Sequence, residues 1–305
     1  MNYIIKLILG MLKFLESNYL YLLWFIVYFT IAWLMFGADL PSFIFVSIIY
    51  GISITIALSP IGEFILRTIE NCREPVTQQE KDYLLPMFEE VYENAKEVYP
   101  ELNNSIKIYI NDEMHVNAYA IGRKTIAITA GALATFSAEE LKGIIAHEFG
   151  HLMHGHTKAL LLSVIGNLIF SILILFFRLM FWIVQIITQI ASYFSWLGVI
   201  FAIMNFMASW TVEIAVFLFM NLSQIILSLN SRTNEYQADT FAYEIGYGRE
   251  LTDALYLIQK ISMNAKLTLT QRLKASHPHT AKRIENLEQL EEQENEELED
   301  IATVT

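Results

Sequence analysis

The sequence predicts a mainly α protein with a small β-sheet and about four transmembrane helices. Three observations carry this. Of its 305 residues, 54% are hydrophobic. Five stretches, beginning near Tyr19, Leu40, Ala159, Leu179 and Ile214, run for about 18 residues or more without a charge, and roughly 20 apolar residues cross a bilayer core. The intervening segments are charged, with mixed helical and strand periodicity, and one of them contains the run His147-Glu148-Phe149-Gly150-His151.

Met1 to Phe14 is apolar but broken by Lys6 and Lys13. Lys13 interrupts what would be a signal-peptide core and no small-residue cleavage site follows, so the segment reads as an interfacial helix or the start of the first span. Tyr19 to Gly37, rich in Trp and Tyr, is the first crossing. Asp39-Leu-Pro41 makes a turn, and Ser42 to Pro60 is the second crossing. Residues 1–62 are thus an N-terminal transmembrane hairpin.

Residues 63–158 are of a different kind. Leu84, Leu85, Phe88, Val91, Tyr92 and Ala95 form one helical stripe over Gln79 to Val98, disturbed by Pro86. Ser105 to Ile110 alternates polar and apolar like a strand with one buried face. Val116 to Ala120 and Thr125 to Thr129 are two further short strands, with Gly122-Arg-Lys124 as the turn and Gly131 closing the sheet. Ser137-Ala-Glu-Glu140 is then a capping box, and Leu141, Ile144, Ile145 and Leu152 repeat at helical spacing behind it. On that helix His147 and His151, four apart, share a face. Two imidazoles held this way are two metal ligands, with Glu148 beside them as a candidate base.

Between Ala159 and Leu229 the only charges are Arg178 and Glu213. If later residues complete a site with His147 and His151, the chain must return to the same side, so the crossings here are even in number. Two are economical, about 159–186 and 199–229, with a turn near Ser192 to Ser195; residues 159–230 form a second transmembrane hairpin. Arg178 and Glu213 fall at similar depth and are expected to pair, since each is costly alone in the bilayer. The flanks on the site side carry Lys6, Lys13, Arg67, Arg73, Lys158 and Arg232, and the two opposite turns carry no Lys or Arg. The positive-inside rule puts both termini and residues 63–158 in the cytoplasm, at a cell inner (plasma) membrane.

Residues 231–290 return to polar sequence. Ser231 to Gly246 is a helix on which Glu235 and Asp239 share a face, Arg249 to Asn264 is a second helix, Ser276 to His279 is a turn and Thr280 to Leu290 is a last helix. Residues 291–305 are an acidic tail of the solvated, often disordered kind. The net charge of −12 argues against nucleic acid as a partner. Cys72 is the only cysteine, which excludes a disulfide framework and a cysteine-based metal site.

A catalytic zinc wants three protein ligands and an open position. His154 and His156 are close in sequence but poorly placed. His154 nearly eclipses His151, and the metzincin positions for Gly and His are occupied by His154 and Thr157. No Asp-Gly pair of the intramembrane metalloprotease type occurs. A glutamate from a second helix remains, with Glu235 the leading candidate.

HEFGH, then SRTNEYQAD about 80 residues later, then SHPHTAKRI, resembles the HtpX heat-shock protease and CAAX prenyl endopeptidase family; NAYAIGRKTIAITAGAL, residues 117–133, is similar to that family's segment before the metal helix. The resemblance implies a gluzincin-like zinc metalloprotease domain built on residues 63–158 and 231–290. It implies zinc held by His147, His151 and Glu235, Glu148 as the base, and Asp239 orienting a ligand histidine. It further implies His277 beside the scissile carbonyl, Arg283 buttressing it, and Asn117, Ala118, Tyr119 and Ala120 pairing with an extended protein or peptide substrate. Membrane or misfolded proteins would be the substrates, with the lipid bilayer as the other partner. The competing reading is a catalytically idle membrane scaffold with a structural zinc site. An acid directly beside the first ligand favours the enzyme.

Overall fold

A computed structural model describes residues 19–263 and 280–304. The expected N-terminal interfacial helix and the Ser276–His279 turn, with His277, lie outside these residues. The described part is mainly helical with one four-stranded sheet. By contacts it divides into two compact units. Of the described residues, one comprises Tyr19, 55–162, 228–263 and 280–304; the other comprises residues 20–54 and 163–227.

The second unit contains the hairpins. α1 (Tyr19–Met35) ends before Gly37, which adopts φ +116°. α2 (Leu40–Ala57) starts with Asp39 accepting from the Ser42 amide at 2.8 Å, a capping bond that satisfies a free helix amide. Three helical segments among the described residues are long and apolar enough to cross a membrane: Leu40–Ala57, Ile174–Ser192 and Trp196–Ile214. α1 supplies a shorter apolar stretch, Phe25–Leu34. Within this unit Arg178 and Glu213 form the expected ion pair, a two-pronged contact at 2.6 and 2.5 Å. Asn205 also donates to Gln185 at 2.7 Å. Reversing either charge alone should cost on the order of 1 kcal/mol, the scale of polar contacts between membrane helices. Reversing both should restore the melting temperature in detergent; a double reversal no better than the singles would show that the contact contributes nothing.

The first unit holds the sheet and the helices around it. α3 (Pro60–Ile69) leads into β1 (Cys72–Arg73), then α4 (Gln78–Val98), capped by a Thr77–Glu80 box. α4 runs through Pro86 without a break. β2 (Lys107–Asn111), β3 (Ala118–Ile121) and β4 (Thr125–Thr129) complete the sheet in the order β1-β2-β4-β3. β2 and β4 are parallel, β3 and β4 antiparallel, with Ala118 opposite Ile128 and Ile121 opposite Thr125. β1, only two residues long, is too short to show any alternation in the sequence. Glu63 ties α3 to the hairpin turn: it is buried, and accepts from the Thr125 hydroxyl at 2.6 Å and the Arg123 amide at 3.1 Å.

α5 (Ala130–Thr135) is a short helix that the sequence pattern did not announce. α6 (Ala138–His154) is the helix predicted from the capping box, and the box is formed as read. Leu141, Ile145 and Phe149 on α6 are fully buried. Phe149 packs against Phe88 and Tyr92 of α4, with ring centres 5.4 and 5.7 Å apart. α7 (His156–Ser192) and α8 (Trp196–Glu244) are longer than the expected crossings, and α8 continues unbroken from apolar sequence into the polar segment bearing Glu235 and Asp239. α9 (Gly248–Met263) follows.

α10 (Thr280–Val304) corrects an expectation. The acidic run is helical, not an irregular tail. Glutamate is a good helix former, the segment has no Gly or Pro, and the Tyr243 hydroxyl contacts both the Leu290 carbonyl and the Glu294 carboxylate.

Two glycines on α6 set the spacing of the neighbouring helices. A Cβ on Gly143 would stand 2.3 Å from the Leu251 nitrogen, and one on Gly150 would stand 2.8 Å from the Ala238 Cα. Both are well inside contact distance, so α9 and α8 approach α6 backbone to backbone. The Gly150 contact lies between His147–His151 on one helix and Glu235–Asp239 on the other.

Candidate metal centre

His147 and His151 extend from one face of α6, with their Nε2 atoms 3.1 Å apart. Their rings are nearly perpendicular, with centres 4.7 Å apart. α8 brings Glu235 across from them: one carboxylate oxygen lies 3.5 Å from His147 Nε2 and the other 3.4 Å from His151 Nε2. The donor atoms therefore converge on one point from two helices. His147, Glu148 and His151 also form a cluster whose donor atoms lie within 4.8 Å of one another.

The charge of the site suits a divalent cation. Glu148, Glu235 and Asp239 are buried with Arg283 as the buried cation facing them. With neutral imidazoles this leaves two uncompensated negative charges in a place where isolated charges are costly. His147 responds in the metal-free chain. Burial and Arg283 both oppose a proton there, but Asp239 and Glu235 outweigh them and hold its pKa up at about 9. Histidine nitrogens and a carboxylate oxygen are the donor types that zinc accepts.

The surrounding side chains orient this set. Asp239 is fully buried, and its carboxylate lies 2.9 Å from His147 Nδ1. Although burial works to raise the Asp239 pKa, Arg283 and His147 together lower it. Arg283, from α10, grips Asp239 through Nε at 2.8 Å and Nη2 at 2.6 Å, and reaches Glu235 through Nη1 at 3.0 Å. His151 has a different neighbour. Its Nδ1 lies 3.0 Å from Nδ1 of His156, whose Nε2 lies 2.9 Å from Gln237 Oε1. Burial, followed by the adjacent His151, pushes His156 down to about 3, so its ring is neutral.

A cavity of about 290 Å³ opens beside His147 and Glu148. Glu148, His147 and Arg283 supply polar wall, Asn117 and Ala118 lie at the start of β3, and Phe136, Ile144 and Leu251 supply apolar wall. β3 is an edge strand. The Tyr119 hydroxyl sits away from the cavity with Asn111 and Cys72, at 2.9 and 3.4 Å, and Ala120 packs into the core.

Thus His147, Glu148, His151, Glu235, Asp239 and Arg283 are brought together, and Asn117 and Ala118 border the same cavity. Tyr119 and Ala120 share only the strand. Arg283 touches the two carboxylates of α8; its expected partner His277 is outside the described residues. His154 stands apart, its Nδ1 2.9 Å from the Gly150 carbonyl oxygen, and His115 is half exposed beside Glu113. From the sequence His156 is a surface residue or one standing behind the ligands, and it stands behind His151; no local signal marks Gln237, which lies 81 residues from it.

Two histidines and a glutamate that converge beside a cavity are the kind of donor set that metallopeptidases use. The chain belongs to peptidase family M48, whose family model matches residues 78–291. It is 29% identical over 181 residues to a Protease HtpX homolog of Methylibium petroleiphilum, covering 58% of this chain and 56% of that protein. It is 28% identical over 205 residues to CAAX prenyl protease 1 of Saccharomyces cerevisiae, covering 59% of this chain and 43% of that protein. The chain spans about half the length of these curated relatives. Its structure aligns with the crystal structure of S. mikatae Ste24p at a TM-score of 0.46 and 24% identity, over 92% of this chain and 65% of that one.

Proposed function

We propose that this chain is a membrane-integrated zinc endopeptidase that cleaves extended segments of membrane or misfolded proteins, with its site facing the cytoplasm. The observation that carries the reading is the meeting of Glu235 with His147 and His151 at 3.4–3.5 Å across two helices. These three side chains hold the metal. When bound, zinc supplies Lewis acidity, lowering the pKa of a water molecule and polarising a peptide carbonyl. Glu148 takes a proton from the attacking water and passes it to the leaving amine. Asp239 accepts from His147 Nδ1 and so keeps Nε2 free as the ligand atom. Arg283 holds Asp239 and Glu235 in register. The family resemblance adds His277 beside the developing oxyanion.

The outer edge of β3, in the stretch Asn117 to Ala120, offers main-chain groups to an extended substrate, a mode that makes little demand on substrate sequence; the Asn117 amide and carbonyl are themselves bonded to Thr129, so Ala118 and Ala120 are the residues to supply them. Residues 1–62 and 159–230 anchor the chain in the inner (plasma) membrane as two hairpins. Residues 63–158 and 231–290 make up the peptidase domain. The alternative, an idle scaffold with structural zinc, is disfavoured by the cavity beside Glu148: a structural site is usually closed by four protein ligands.

The test is metal removal. The purified chain should carry one zinc per molecule and cleave an unfolded protein such as casein. A chelator should abolish cleavage and added zinc should restore it. Full activity in metal-stripped protein would overturn the proposal.

A further inference from the structure

His156 is the first residue of α7, and Gly155, a left-handed cap at φ +74°, ends α6 and turns the chain immediately before it. This turn places the His156 ring back beside His151. Only 7% of His156 is exposed, and both ring nitrogens are engaged, Nδ1 with His151 Nδ1 at 3.0 Å and Nε2 with Gln237 Oε1 at 2.9 Å. We propose that Gln237 and His156 are positioning residues for the metal centre, a hydrogen-bonded relay that holds His151 in the tautomer a ligand needs. The inference rests on His151 being a metal ligand, as in the proposed function.

The argument is one of hydrogen-bond polarity. A neutral imidazole carries one N–H and one lone pair. The Gln237 carbonyl oxygen can only accept, so His156 Nε2 carries the proton and His156 Nδ1 carries the lone pair. That lone pair can only accept, so His151 donates from Nδ1. His151 Nε2 is then left with a lone pair directed toward His147 Nε2 and Glu235. The reversed chain, with the Gln237 amide donating, would put the proton on His151 Nε2 and block it as a ligand. The metal centre therefore selects one direction for the whole relay.

The two ligand histidines are oriented by different means. His147 has a carboxylate, Asp239, directly on its Nδ1. Three buried carboxylates already face one arginine in this site. A fourth beside His151 would add negative charge that only a bound cation could balance, a burden on the metal-free chain but not on metal binding. An imidazole backed by a side-chain amide sets the tautomer without adding any.

The experiment measures zinc affinity of the purified full-length chain in detergent, by competition with a chromophoric chelator. Gln237→Met removes the acceptor and keeps the length of the side chain. It should weaken zinc about 10- to 100-fold, the range for partners of ligating histidines. Gln237→Glu keeps an acceptor at the same place and should bind zinc within a few-fold of wild type. His156→Phe should weaken zinc as Gln237→Met does, and the melting temperature of the metal-free Gln237 variants checks that the fold is kept. Wild-type affinity in Gln237→Met, or an equal loss in Gln237→Glu, would overturn the relay while leaving the metal centre standing. A wild-type chain that takes up no zinc would overturn both.

Discussion

Glu148→Gln is expected to keep its zinc and to lose cleavage by about 10²- to 10⁴-fold, the usual contribution of a positioned general base. The side chain is buried at the cavity wall, next to the first histidine, with a donor atom within 4.8 Å of both histidine nitrogens. Glutamine has nearly the same shape, so the packing of α6 and the positions of His147 and His151 are retained. The amide oxygen can accept a hydrogen bond from water but cannot take its proton. The proton then lacks a carrier to the leaving amine, and the chemical step slows while the ligands are untouched. The measurement is kcat/KM on an unstructured peptide alongside metal content by atomic absorption. Cleavage within tenfold of wild type at full zinc occupancy would remove Glu148 from the mechanism.

Arg283→Met is expected to destabilise the metal-free chain by about 3–5 kcal/mol, the cost of removing one partner from a buried charged pair. Arg283 is 5% exposed and Asp239 fully buried, and the guanidinium makes three contacts of 2.6–3.0 Å with Asp239 and Glu235. Burial alone would lower the arginine pKa, yet the two carboxylates more than offset it and raise it. Methionine fills much of the volume but leaves both carboxylates facing each other without their cation. Bound zinc supplies positive charge at Glu235, so added metal should recover part of the loss. Denaturant unfolding with and without zinc checks both statements. A loss under about 1 kcal/mol in the metal-free variant would show that the contacts are incidental.

The elements that the sequence revealed are those governed by local rules. The Ser137–Glu140 capping box, the four-residue spacing of His147 and His151, and the short strand Thr125 to Thr129 behind its Gly122–Lys124 turn each depend on residues within a turn or a strand of one another. The pairing of Glu235 with Asp239 on one face was legible for the same reason. α5 and β1 were not legible, because six residues and two residues are too few for a period to show. The acidic run is exposed at residues 291–296, as its composition argued, but it is helical, because its conformation followed helix propensity and the grip of Tyr243.

By itself, then, the sequence determined the class of elements, the long apolar helices, the two histidines, the adjacent acid and, through family resemblance, the carboxylate expected to join them. The tertiary structure decided that they meet. Gly143 and Gly150 let three helix backbones come into direct contact, and only then do Arg283 from α10 and the His156–Gln237 pair fall against the ligands. Periodicity reports which way a side chain points from its own helix. It carries no information on what stands opposite, because that depends on packing between segments tens of residues apart.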